Sequence, residues 1–142
     1  PWGVTASVDK DGTQCCGTVN GRVGTLSDLE QDDGDELIRS WTSKPIEAGG
    51  SRLTIPELRL RMKRGRCPAD VDPVLRLRTS RDGETYGAER RRLLGTRGDY
   101  GGQQVWNGLG QFPEEAHLQL ICSDPVDVQL YDAKIRVERN GS

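Results

Sequence analysis

The fold is decided by residues 105–137, VWNGLGQFPEEAHLQLICSDPVDVQLYDAKIRV. The order of apolar and turn residues predicts a strand, a turn, a second strand, a Ser-Asp-Pro corner, a third strand and a last strand. Leu118 and Leu120 alternate with Gln119, and Val126 and Val128 repeat the pattern after the corner. Because successive side chains of a strand point to opposite faces, this stretch predicts a β frame with one buried face.

The composition of the whole chain favours the same class of fold. A length of 142 residues fits one domain, and 18 glycines with 7 prolines suit many short strands better than a helix bundle. Upstream, residues 36–43 are extended, and Ile38 and Trp41 are expected to be buried. We therefore predict a single all-β domain over residues 1–142, an antiparallel β-sandwich or jelly roll with long loops.

Two further segments have one apolar and one basic face. Apolar residues at every second position, Leu58, Leu60 and Met62 in one segment and Leu75 and Leu77 in the other, alternate with arginines, so each segment predicts a half-buried strand. Placed side by side, the two strands are expected to form a hairpin with a cationic outer face. The arginines of this face are Arg59, Arg61, Arg76 and Arg78. The apolar residues expected to hold the fold are Leu58, Leu60, Leu75, Leu77, Leu118, Leu120, Val126 and Val128.

Charge is segregated along the chain, although the formal net charge is only −2. Residues 25–36 are acidic and predict an exposed loop. The acidic residues are Asp28, Glu30, Asp32, Asp33, Asp35 and Glu36. These residues and the four arginines are the candidate interface. Opposite patches could meet head to tail in an assembly, or the basic strands could face nucleic acid.

The sequence nominates no catalytic, cofactor-binding or metal-binding residue. His117 is the only histidine and none of the four cysteines forms a CxxC pair, so a zinc site is not expected. The cysteines suggest free thiols made in a reducing compartment, with a contact between Cys67 and Cys122 left open. Ser123 lacks a GxSxG elbow and belongs to a turn-forming Ser-Asp-Pro corner. We predict that the protein is not an enzyme and has no membrane partner.

The order of motifs in the second half of the chain resembles one known family. Residues 80–86 resemble a shortened Asp-box turn, and four ordered motifs follow it. In order, the five are SRDGETY (80–86), RLLG (92–95), GDY (98–100), VWNGLG (105–110) and SDPV (123–126). Together they are similar to the C-terminal module of the packaged-DNA stabilisation (tail-hub) proteins of short-tailed bacteriophages. The resemblance runs from near residue 35 to residue 138.

This resemblance implies a non-enzymatic structural protein of a tailed-phage virion, a component of the neck, tail hub or tail tip. The implied partners are portal, adaptor, tail or major capsid proteins, in a symmetric homo-oligomer that could lie close to DNA. The protein would be made in the host cytoplasm and reside in the virion. Two alternatives stay open: a capsid decoration (cement) protein, and a carbohydrate-binding module that stacks sugars on Trp106 or Tyr100.

Overall fold

The computed structural model describes residues 4–18, 21–25, 31–32, 35–65, 67–94 and 103–140. All regular secondary structure in these ranges is β-strand. The strands are β1 (Val4–Lys10), β2 (Thr13–Thr18), β3 (Val23–Thr25), β4 (Gln31–Asp32), β5 (Asp35–Glu36), β6 (Arg39–Thr42), β7 (Ile46–Glu47), β8 (Leu53–Arg64), β9 (Val74–Ser80), β10 (Arg90–Leu93), β11 (Gln103–Phe112), β12 (Glu115–Cys122) and β13 (Val128–Arg139). The described part of the chain has no helix that could cross a membrane.

Two antiparallel sheets form a β-sandwich. One has the strand order β11-β8-β13, and the other has the order β10-β9-β12-β6, with β7 also paired to β12. Their inner faces share one hydrophobic core, to which all eight residues predicted to hold the fold belong. Leu75, Leu77 and Val126 are completely buried. Since each buried leucine or valine contributes roughly 1.5–3 kcal/mol, these alternating apolar faces drive the two sheets together. The predicted all-β class is confirmed.

The predicted hairpin between the two basic segments is wrong, because β8 and β9 lie in different sheets. Each strand turns its leucines toward the shared core, so the chain must cross from one sheet to the other between them. At the start of this crossing, Gly65 N donates to Asp127 O at 2.6 Å. A Cβ at Gly65 would lie 2.5 Å from Asp127 Oδ2, which explains the glycine. The two basic faces therefore point to opposite sides of the sandwich.

Residues 105–137 form three strands where the sequence predicts four. β13 is continuous across residues 128–139, and the predicted break is an irregular register between Leu130 and Asp132 on its pairing with β8. A bulge of this kind bends a strand without ending it. The predicted Ser-Asp-Pro corner is confirmed: Asp124 Oδ2 accepts from Val74 N at 2.7 Å, and Val126 N donates to Asp124 O at 2.8 Å. The corner joins β12 in one sheet to β13 in the other.

The N-terminal strands β1, β2 and β3 form a separate antiparallel meander. Asp11 and Gly12 join β1 to β2 with φ angles of 53° and 79°, as a tight hairpin turn requires. β4 and β5 pair with each other. Of the acidic residues, Asp32, Asp35 and Glu36 lie in these two strands, whereas Asp28, Glu30 and Asp33 lie outside the described residues. The buried core cluster takes its residues from the sandwich, so a single domain over residues 1–142 stays a prediction.

Candidate functional site

The outer face of the three-stranded sheet presents a band of cations. Along β8, Glu57 is followed at every second position by Arg59, Arg61 and Lys63, whose side chains are exposed. In register on β13, Lys134 lies opposite Arg59. We call this surface the basic face and define it by its five cations. They are Arg59, Arg61, Lys63, Lys134 and Arg136.

Three of the five cations on the basic face are paired. Arg59 contacts Glu57, Lys134 lies 3.9 Å from Asp132, and Arg136 lies 2.9 Å from Glu138. The hydrogen bond from Arg59 holds the pKa of Glu57 below its ordinary value, and the same bond raises the pKa of Arg59. Such exposed pairs contribute little to stability.

Arg61 and Lys63 make no ion pair or hydrogen bond with any described residue. At one end of the basic face, Arg61 and Lys63 thus have no ion-pair partner among the described residues, while the other end carries the acids Glu57 and Glu138.

The other two predicted interface arginines have a different environment. Arg76 and Arg78 lie on the outer face of the five-stranded sheet, around Glu89. Glu89 Oε1 lies 2.5 Å from Arg78 Nη2 and 3.5 Å from Arg76 Nη1, and its second oxygen lies 3.5 Å from Arg91 Nη2. Arg76 also donates to Ser123 Oγ at 3.0 Å. These contacts tie β9 to the chain around β10 and to the Ser-Asp-Pro corner, so Arg76 and Arg78 have internal partners that Arg61 lacks.

Replacing Glu89 by Gln is expected to lower the melting temperature at neutral pH. The melting temperature of the variant should also decrease less than that of the wild type when the pH is lowered. The hydrogen bond from Arg78, helped by the nearby charges of Arg76 and Arg91, holds the pKa of Glu89 below its ordinary value of 4.5. A lowered folded pKa gives stability that is present above the ordinary value and lost as the pH falls through the folded value. Thermal melts from neutral pH to about pH 3 should show the wild type losing stability more steeply than Glu89→Gln.

The matched control is Glu114→Gln. Glu114 is exposed and makes no ion pair with any described residue, so its replacement should leave the curve unchanged. Parallel curves for wild type and Glu89→Gln would contradict the role of Glu89 as the shared partner of three arginines.

The shortened Asp-box turn is organised by the carboxylate of Asp82. Asp82 Oδ1 accepts from Ser80 Oγ at 2.7 Å, Glu84 N at 2.9 Å and Thr85 N at 2.8 Å. The pKa of Asp82 is held well below its usual range, first by the backbone N–H of Thr85 and next by the Ser80 hydroxyl. Ser80 pairs with Tyr86 across the turn. The carboxylate is occupied in holding backbone, so the turn is a structural element.

Ser80, His117 and Glu115 come together in a way that the sequence did not indicate. Ser80 and His117 are opposite each other in the pairing of β9 and β12, and His117 Nε2 lies 3.3 Å from Glu115 Oε1 without hydrogen-bond alignment. A nucleophile needs an available hydroxyl beside a base. The Ser80 hydroxyl donates to Asp82, accepts from Gly83 N at 2.9 Å and is 2% exposed. This hydroxyl is already used by the turn.

The aromatic residues proposed for sugar stacking do not form a described platform. Trp106 is 3% exposed and belongs to the core, with the Arg92 guanidinium 6.0 Å from the centre of its ring. Its assignment as a sugar-stacking residue is therefore wrong, since stacking needs a free ring face. Tyr100 lies outside the described residues.

No described group of three or more His, Cys, Asp or Glu residues is placed to hold a metal ion. All four cysteines are free thiols. Cys67 Sγ donates to Val71 O at 3.4 Å, and burial raises the pKa of the Cys122 thiol. The contact between Cys67 and Cys122 that the sequence left open is not a disulfide.

Comparison with protein families gives one match. The family described as "Bacteriophage P22 Gp10, beta-sandwich" matches residues 39–138, more than two thirds of the chain. The match begins at the first residue of β6 and ends one residue before the end of β13, so it coincides with the sandwich. It confirms the resemblance carried by the ordered motifs of residues 80–126. A comparison with curated proteins gives no match.

Proposed function

The chain belongs to the bacteriophage P22 Gp10 β-sandwich family, and from this membership we propose that it is a component of the neck, tail hub or tail tip of a tailed-phage virion. It acts by binding other virion proteins and performs no catalysis. The observation that carries the proposal is the family match over the whole sandwich, residues 39–138. The family description itself names a bacteriophage protein and a β-sandwich.

The geometry supports a binding role in two ways. The core cluster holds the two sheets together, and the basic face offers exposed charge on the outer surface of one of them. Complementary charge across an interface gives specificity and orients partners. We propose that the basic face, with Arg59 and Arg61 at its centre, contacts a neighbouring virion protein. The proposed partners of the chain are portal, adaptor, tail or major capsid proteins, and the chain itself is proposed to form a symmetric homo-oligomer.

The acidic residues Asp28, Glu30, Asp32, Asp33, Asp35 and Glu36 remain in the proposed interface. We assign Arg76 and Arg78 to the support of β9, since Glu89 and Ser123 already occupy their guanidinium groups. Made in the host cytoplasm, the protein would then enter the virion.

The test is electron microscopy of phage particles in which this protein carries a label, together with deletion of its gene. We expect the label at the tail vertex, and particles without the protein to lose packaged DNA or lack tails while their shells stay as stable as wild type. Particles complemented with the unlabelled gene are the control. A label distributed over the shell, with weakened shells after deletion, would instead identify a decoration protein and overturn the proposal.

A further inference from the structure

The charge pattern of the basic face indicates which class of partner it can bind. A shallow depression on this face is lined by Arg59, Arg61, Gln103, Asp132 and Lys134. Acidic side chains are interleaved with the cations: Asp132 lies opposite Arg61 in register, and Glu57 lies opposite Arg136. A uniform polyanion such as duplex DNA would meet these carboxylates as well as the cations. The formal net charge of −2 adds a general repulsion. An acidic protein segment suits this face better than duplex DNA does, because it can place its carboxylates next to Arg61 and Lys63 alone. We call this part of the basic face the unpaired end.

That unpaired end is the anchor point. Arg61 and Lys63 have no ionic partner among the described residues, so a carboxylate that reaches them displaces no ion pair with that part of the chain. A guanidinium offers two parallel N–H donors to a carboxylate, which makes Arg61 a geometrically selective site. The paired cations Arg59 and Lys134 flank it and add positive potential without being free themselves.

The chain itself carries a segment of the required chemistry. Six of the nine residues from 28 to 36 are acidic. We infer that the basic face binds this acidic segment of a second copy of the chain, in a repeating head-to-tail contact. A heterologous contact of this kind forms a ring when its rotation closes. The inference rests on the proposed function only in taking the basic face as an assembly surface.

The described acidic residues Asp35 and Glu36 lie close in sequence to the five-stranded sheet. Arg39 at the start of β6 follows Glu36 by three positions, which span at most about 10 Å. β6 belongs to the five-stranded sheet, whereas the basic face lies on the outer side of the other sheet. Since stacked sheets are about 10 Å apart before the outer side chains are added, a second copy can bring these carboxylates to Arg61 more readily than the same copy can, and a contact within one copy would leave the chain monomeric.

Charge exchange in the full-length chain tests the inference. Light scattering and sedimentation should show wild-type self-association that weakens as salt is raised. Arg61→Glu with Lys63→Glu should weaken it on the order of tenfold or more, and Asp32→Lys with Asp35→Lys should do the same. The chain that carries all four changes should associate like wild type, because the charges are exchanged across the same contact.

The matched control is Lys44→Glu with Arg81→Glu, a reversal at two exposed cations that follow strands of the five-stranded sheet, which should leave association unchanged. Melting temperatures verify that every variant is folded. A monomeric wild type, or a four-fold variant that fails to recover association, overturns the inference. So does binding of a fluorescent DNA duplex that Arg61→Glu abolishes. None of these results depends on where the labelled protein lies in the virion, so the proposed function is judged separately.

Discussion

Trp106→Ala is expected to lower the free energy of unfolding by about 3–5 kcal/mol. Trp106 is 3% exposed and lies in register with Leu58 of β8, so its removal leaves a large cavity in the core between the two sheets. The loss is a large part of the roughly 5–15 kcal/mol that stabilises an ordinary domain. Urea unfolding followed by circular dichroism measures it.

Two further variants separate packing from other effects of Trp106→Ala. Trp106 Nε1 is buried and has no hydrogen-bond partner among the described residues, so Trp106→Phe removes an unsatisfied donor as well as volume. We expect this variant to cost clearly less than Trp106→Ala, on the order of 1–2 kcal/mol. Tyr131→Ala removes an aromatic ring that is 59% exposed and should change stability little. If Trp106→Ala were as mild as Tyr131→Ala, the placement of Trp106 in the core would be wrong.

Arginines of β10 connect the two sheets at one edge of the sandwich. Arg90 donates to Asn107 O at 3.2 Å and to Gly108 O at 2.8 Å, so β10 of one sheet is tied to β11 of the other. Arg92, two residues further along β10, covers the Trp106 ring. Arg90 and Arg92 therefore support the frame.

The inner face of each strand could be predicted from the sequence, because alternation is a local property of a strand. Leu58 and Leu75 were placed correctly for this reason. Strand pairing joins residues far apart in the sequence, so alternation alone does not determine it. The predicted pairing of β8 with β9 was wrong for this reason, because the two strands lie in different sheets. Ile38 shows a related limit: its apolar side chain in an extended segment predicts burial, yet it lies just before the edge strand β6 and is 67% exposed. Trp41, three positions later, points to the opposite face of an extended chain and packs against the core.

In the candidate site, too, contacts between residues close in sequence could be predicted and contacts between distant residues could not. The turn at residues 80–86 was predicted because its hydrogen bonds join residues no more than three apart in sequence. The neutralisation of Arg76 and Arg78 was missed, because Glu89 reaches them from the chain leading into β10. The pair Arg59 and Arg61 and the pair Arg76 and Arg78 have the same spacing, so the sequence pattern does not distinguish them. The strand order does, because it places Glu89 beside the second pair.

Ser80→Ala is expected to lower the free energy of unfolding by about 1–3 kcal/mol, because it removes the centre of the Asp82 turn. The buried Ser80 hydroxyl donates to Asp82 and accepts from Gly83 N at 2.9 Å, and alanine leaves both groups without this partner. Ser123→Ala is the matched control: its half-buried hydroxyl accepts one hydrogen bond, from Arg76, and its loss should cost about 1 kcal/mol or less. Urea unfolding of both variants gives the comparison. Equal losses would mean that the Ser80 network does not stabilise the turn.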